Sequence, residues 1–119
     1  MNFMQTVVET PEFKRSAKEL KLSTIEIAHI IDLLAVNPLS GDEIAGTGGA
    51  RKVRVARPGT GKSGGYRVIY FFSGEFIPVF ILSVFAKNQK INLTQGEKNT
   101  LKKVLKLLVD SYEKSELQR

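Results

Sequence analysis

The chain of 119 residues carries 18 Lys and Arg against 12 Asp and Glu, one His and no Cys, for a formal charge of +6. Without cysteine there is no disulfide scaffold, no thiolate metal site and no Cys nucleophile, and a reducing compartment fits. The length suits one ordinary core, so residues 1–119 read as a single domain.

The opening "MNFMQTVVETPEF" lacks the basic start and long apolar run of a secretory leader. Within it, "TVVE" reads as a short strand. Thr10 then suits a helix N-cap, with Pro11 at the first helical position, where its missing N–H costs nothing, and the helix runs to about Leu20. Ser23 and Glu26 form a capping box, after which Ile27, Ile30, Ile31 and Leu34 recur at helical spacing until Asn37-Pro38 ends the pattern. His29, the only histidine, falls off that stripe and reads as a surface residue.

"LSGDEIAGTGG" (39–49) has turn composition and no period, so a loop is expected. "RKVRVA" alternates strictly, which puts Lys52, Arg54 and Ala56 on one face of a strand and Arg51, Val53 and Val55 on the other. "YRVIYFF" (66–72) is a second strand. "SGE" (73–75) reads as a tight turn into the apolar run 76–86, a third strand with Pro78 marking a bulge or an unpaired position near its start. That run is too short to span a bilayer, so a soluble, cytoplasmic protein with no membrane partner is expected. A second capping box, Thr94 to Glu97, opens a long helix with Leu101, Val104, Leu105, Leu108, Val109 and Tyr112 on one stripe and Lys102, Lys103 and Lys106 facing water. The order of elements gives an α+β fold with an antiparallel sheet.

"ARPGTGKS" (56–63) fits the phosphate-loop pattern if Ala stands for its first Gly. A phosphate loop, however, needs a helix whose N-terminus faces the phosphates, and here a strand follows. The segment reads instead as a Gly-rich basic connection between two strands.

Residues 44–74 hold Arg51, Lys52, Arg54, Arg57, Lys62 and Arg67 with no Asp or Glu. A single-sign block inside the folded part points to a polyanion, nucleic acid first. If the strand register aligns their faces, Lys52, Arg54 and Arg67 converge on one patch able to grip a phosphate and stabilise charge developing on it. Tyr66, Tyr70, Phe71, Phe72 and Phe85 are interleaved aromatics that could stack on bases, against a default of core packing. With one His, no Cys and scattered carboxylates, neither a metal site nor a Ser/His/Asp triad is expected, and no cofactor. An enzyme built here works with Lys and Arg.

The segment "GTGGARKVRVARPGTGKSGGYRVIYFF" and the following "FILSVFAKNQKINLT" resemble the RelE/HigB family of bacterial toxins, nearest the HigB branch. The resemblance implies two N-terminal helices packed on a small curved antiparallel β-sheet, with a long C-terminal helix. It implies a toxin of a type II toxin–antitoxin system: a ribosome-dependent, metal-independent endoribonuclease that enters the A site, cuts mRNA and inhibits translation. Its partners would be the ribosome, mRNA and a cognate antitoxin, of helix-turn-helix type, encoded beside it. In this chemistry a ribose 2′-OH attacks the adjacent phosphate. The resemblance gives Lys52 the task of deprotonating or orienting that hydroxyl, and Arg54 and Arg67 the task of stabilising the phosphorane-like charge. Lys87, Asn88 and Lys90 fall in the family's basic segment after the last strand, with Lys87 or Lys90 protonating the leaving group. Tyr70 or Phe85 would stack on a base, and Arg51, Arg57 and Lys62 would help hold RNA or ribosome. The chain has Asn88 where some relatives carry arginine, and Ile91, Asn92 and Leu93 where they carry a tyrosine. Two other functions stand beside it: a ParE-like gyrase poison on the same fold, a branch that lacks the dense basic hairpin, and a non-catalytic basic module that binds RNA or the ribosome.

Overall fold

The computed structural model describes residues 4–57, 65–86, 89 and 92–117, with side chains to residue 113. The elements follow as β1 (Val7–Glu9), α1 (Pro11–Glu19), α2 (Thr24–Val36), β2 (Asp42–Glu43), β3 (Ala50–Val55), β4 (Tyr66–Phe71), β5 (Val79–Ala86) and α3 (Gln95–Leu117). The sheet order is β1-β5-β4-β3-β2. The α+β class and the long last helix are as the sequence implies.

The helix starts are set by side chains that satisfy otherwise orphaned amides. Thr10 Oγ1 accepts from Phe13 N at 3.2 Å and donates to Ile81 O at 2.7 Å, tying the start of α1 to β5. At α2 both halves of the capping box are made, Glu26 N to Ser23 Oγ at 3.1 Å and Ser23 N to Glu26 Oε1 at 3.0 Å. At α3, Thr94 and Glu97 repeat the arrangement at 2.9 and 3.2 Å.

Three expectations are corrected. The sheet is mixed, because β1 lies parallel to β5 while the other pairs are antiparallel. A three-residue strand carries no directional signal of its own, and its direction is decided by where α1 and α2 pack. The 39–49 loop contains β2, whose Asp42 and Glu43 pair with Lys52 and Arg51. Residues 72–78 form a longer connection than the tight turn expected; Pro78 is unpaired, the second of its two expected readings, and the bulge lies between Ile69/Tyr70 of β4 and the segment Ile81 to Ser83 of β5.

That bulge governs which side chains meet. Pairing runs Tyr70↔Ile81 and then Ile69↔Ser83, leaving Leu82 as the extra residue. Facing alternates along a strand, so one extra residue reverses the parity beyond it. Val79 and Ile81 lie on one face, but past the bulge Val84 takes that face and Phe85 the other.

The first face packs under α1 and α2. Its core joins Phe13, Ala17, Ile30 and Leu34 of the helices to Val53, Val55, Tyr66, Val68, Tyr70, Val79, Ile81 and Val84 of the sheet. Ser16 Oγ on α1 accepts from Val84 N at 3.1 Å, next to the bulge. The opposite face packs under α3: Ala50, Ile69, Phe71, Ile77 and Phe80 meet Leu105, with Leu101, Leu108, Val109 and Tyr112 partly buried around them. Phe80 and Tyr112 meet edge to face at 5.8 Å. Val104, expected on the apolar stripe, lies at its margin and is exposed. Among the described residues no helix is long and apolar enough to cross a membrane.

Candidate functional site

Arg54 and Arg67 are direct partners across β3 and β4, and Phe85 continues the same row on β5. Two residues along, Lys52 pairs with Ile69, with Ser83 beyond it and Asp42 on the β2 side. Residues opposite one another in an antiparallel pair share a face, their Cα atoms about 4.5–5.5 Å apart. Lys52, Arg54, Arg67 and Phe85 therefore all lie on the α3 face. The convergence that the sequence made conditional on register is present.

α3 covers the end of this face formed by Ala50, Ile69, Phe71 and Phe80, while Arg54 is exposed and Arg67 is half-buried. Like charges directly opposed destabilise a sheet unless something lies between them. Among the described residues no carboxylate pairs with either guanidinium. Arg67 Nη1 is shut off from solvent and has no hydrogen-bond partner among the described residues. A buried donor without an acceptor is costly, and a guanidinium pair of this kind suits a bidentate oxyanion such as phosphate. Gly65, at the start of β4, keeps the strands this close: a β-carbon there would stand 2.8 Å from Val55 O and 3.6 Å from Arg54 Nε.

The remaining sequence candidates are placed elsewhere or lie outside the described residues. Arg51 is on the α1/α2 face, where Nη1 donates to Gly41 O at 2.7 Å. Tyr70 is corrected from stacking to structure. Its ring is fully buried on that same face, and its hydroxyl accepts from Gly41 N at 2.8 Å and donates to Pro38 O at 2.7 Å, so it has no surface for a base. Phe85, half-buried beside Arg67, is the aromatic that the register brings to the cations. Lys62, Lys87, Asn88 and Lys90 lie outside the described residues. β3 and β4 are antiparallel neighbours paired to Val55↔Tyr66, so the phosphate-loop-like segment connects two strands and leads into no helix.

Arg57 belongs to a second cluster. Its Nε lies 3.0 Å from Glu26 Oε2, and its guanidinium sits over the Tyr66 ring at 5.4 Å. Tyr66 Oη donates to the same Glu26 oxygen at 2.6 Å. Glu26 thus caps α2 with one oxygen and holds the β3–β4 end of the sheet with the other. The backbone N–H of Ser23 holds its carboxyl below the usual carboxylate range, helped by the Tyr66 hydroxyl and the Arg57 charge. Burial, then the bond and charge of Glu26, push the Tyr66 phenol up to about 12. Sequence reasoning saw only the capping half of this residue.

Lys98 was also missed. It lines a cleft of about 130 Å³ together with Lys52, Asn92, Ile44, Ile69 and Leu93. Helical phase places Lys98 at the edge of the apolar stripe, but only the docking of α3 shows that this edge faces Lys52.

Fold and site together define a small α+β protein that presents a row of cations, Lys52, Arg54 and Arg67, on one sheet face. A family model describing the RelE toxin of the RelE/RelB toxin–antitoxin system matches residues 5–119, so the chain belongs to the RelE toxin family. Membership implies a toxin's role and a cognate antitoxin as partner.

Proposed function

We propose that this toxin is a ribosome-dependent endoribonuclease of the HigB type, acting in the cytoplasm as a single domain on mRNA in the ribosomal A site. The observation that carries the reading is the Arg54–Arg67 pair, opposed across two strands, with no carboxylate paired to either guanidinium among the described residues. A scissile phosphate placed against the two guanidiniums would relieve the repulsion between them. The negative charge grows as the phosphorus becomes five-coordinate, so the same two groups bind the transition state more strongly than the ground state.

Lys52 stands one side-chain repeat along the same face of β3, within reach of the ribose on one side of that phosphate. It removes or orients the 2′-hydroxyl proton as the 2′-oxygen–phosphorus bond forms. The bond from phosphorus to the 5′-oxygen of the next nucleotide then breaks, and that oxygen takes up a proton from Lys87 or Lys90. The products are a 2′,3′-cyclic phosphate and a 5′-hydroxyl, with no metal in the balance. Phe85 supplies the stacking surface. The antitoxin, encoded beside the toxin, silences it.

The test uses purified protein with an mRNA alone and with the same mRNA programmed on ribosomes, followed by mapping of the new 5′ ends. Cleavage within the A-site codon, leaving a cyclic phosphate and lost in Lys52→Ala, Arg54→Ala and Arg67→Ala, is expected. Ribosome binding without a cut at any site would replace the enzyme by a binding module. A DNA-damage response without mRNA cleavage would point to gyrase instead.

A further inference from the structure

The sequence assigns Lys102, with Lys103 and Lys106, to solvent and gives Lys98 no role, but Lys98 and Lys102 are seated on the loop that feeds the cationic strand. A β-carbon on Gly46 would lie 3.5 Å from Lys98 Cδ, and one on Gly48 would lie 3.4 Å from Lys102 Cγ. Both glycines have positive φ, 81° and 76°, so the loop turns through conformations that favour glycine and leaves a floor for the two aliphatic stems. Thr47 between them is fully buried, accepting from Ala50 N at 3.1 Å and donating to Ile44 O at 2.6 Å, which fixes the loop directly before β3. Lys98 and Lys102 are thus laid along a defined path. Seated side chains have less rotamer freedom to lose when they meet a ligand.

Their path continues the site. Lys98 lines the same cleft as Lys52, and Lys102 follows one helical repeat on, about 6 Å along the axis of α3. Arg67, Arg54, Lys52, Lys98 and Lys102 therefore form a line of five cations running from the sheet onto the helix. Among the described residues neither Lys98 nor Lys102 has an ion-pair partner. The nearest acid by strand pairing is Asp42, opposite Lys52, which bounds the line on the β2 side.

We propose that Lys98 and Lys102 form a second contact for the sugar–phosphate backbone of single-stranded RNA, continuous with the Arg54–Arg67 row. The contact holds the strand leading away from the scissile phosphate. It rests on the RNA reading above and adds a track to which the sequence reading gave no role. Phosphate contacts position a strand without reading its bases, so the track contributes affinity and alignment and leaves base preference unchanged.

The probe is a short, fluorescein-labelled, uniformly 2′-O-methylated RNA, which cannot be cut, titrated between about 50 and 200 mM KCl. Each phosphate contact on a single strand contributes about 0.7 to the slope of log K against log salt. Lys98→Gln/Lys102→Gln keeps most of each stem and is expected to lower the slope by about 1.4. Lys98→Arg/Lys102→Arg should restore it. Lys14→Gln/Lys18→Gln, which removes the same charge from exposed positions on α1, should leave the slope as in the parent. An unchanged slope in the Lys98/Lys102 variant, or an equal fall in the α1 variant, overturns the track. Should binding remain sensitive to Arg54→Gln and Arg67→Gln in that case, the RNA reading stands and the track alone fails. No binding by the parent protein would overturn the track, while the ribosome-dependent reading is decided by the cleavage assay above.

Discussion

Arg54 on β3 and Arg67 on β4 stand directly opposite one another, and among the described residues no carboxylate pairs with either. Strand pairing holds together what charge would separate. The reverse face opposes the repulsion with apolar rows, Val53–Val68–Val84 and Val55–Tyr66–Ala86, buried under α1 and α2 or at their edge. The stability of the hairpin and the affinity of its charged face for an anion are thus in tension.

Arg54→Gln should therefore stabilise the fold while abolishing cleavage. Relief of a directly opposed like-charge pair contributes about 0.2–1 kcal/mol, readable as a higher melting temperature at low salt. Added inorganic phosphate should raise the melting temperature of the parent more than that of the variant. A variant that melts below the parent at low salt would show that the pair does not repel.

Lys52 and Arg51 are sequence neighbours on opposite faces, and their alanine variants should separate catalysis from stability. Lys52→Ala is expected to lower single-turnover cleavage by about 10²–10⁴, the range for loss of a general base. Arg51→Ala removes a charged hydrogen bond to Gly41 O and should cost about 1–3 kcal/mol in urea denaturation, with cleavage per folded molecule unchanged.

Tyr70→Phe removes a hydroxyl that serves two backbone groups, Gly41 N and Pro38 O. Both would lose their partner next to a ring that is fully buried, at a cost of about 1–3 kcal/mol. Denaturation midpoints should fall, and RNA affinity measured on the folded protein should not. Loss of affinity without loss of stability would return Tyr70 to the binding surface.

The Glu26–Tyr66 bond gives the fold a pH dependence of known sign. The Glu26 carboxyl is held below its ordinary range, so its contribution to stability is complete above about pH 4.5 and is lost as pH falls through the folded value. The Tyr66 phenol is raised to about 12, so its contribution is complete below its ordinary value of about 10 and is lost as pH rises toward about 12. Glu26→Gln should be less stable than the parent at neutral pH by about 1 kcal/mol, with the gap closing below about pH 4. Tyr66→Phe should remove the alkaline loss. A gap between parent and Glu26→Gln that stays constant with pH would sink this assignment.

Much of the fold was legible because its signals are local. A capping box needs residues three apart, and both boxes and the Thr10–Pro11 start are made as written. Alternation along "RKVRVA" sorted Lys52 and Arg54 from Arg51, because facing has a period of two wherever a strand is regular. The aromatics were not legible in this way. "VFILSVFA" is apolar throughout, so nothing in it shows where facing reverses. Tyr70 and Phe85 looked equivalent, yet one is core and the other adjoins the cations.

Signals between residues a few places apart were enough for the helix starts and for the cationic face of β3. Tertiary structure alone decided four things: that Arg67 meets Arg54, that the Leu82 bulge turns Phe85 toward them, that β1 runs parallel to β5, and that α3 brings Lys98 beside Lys52. Each depends on pairing or packing between segments distant in the chain. There the competing registers differ by side-chain burial summed over whole faces, a quantity that no short stretch of sequence contains.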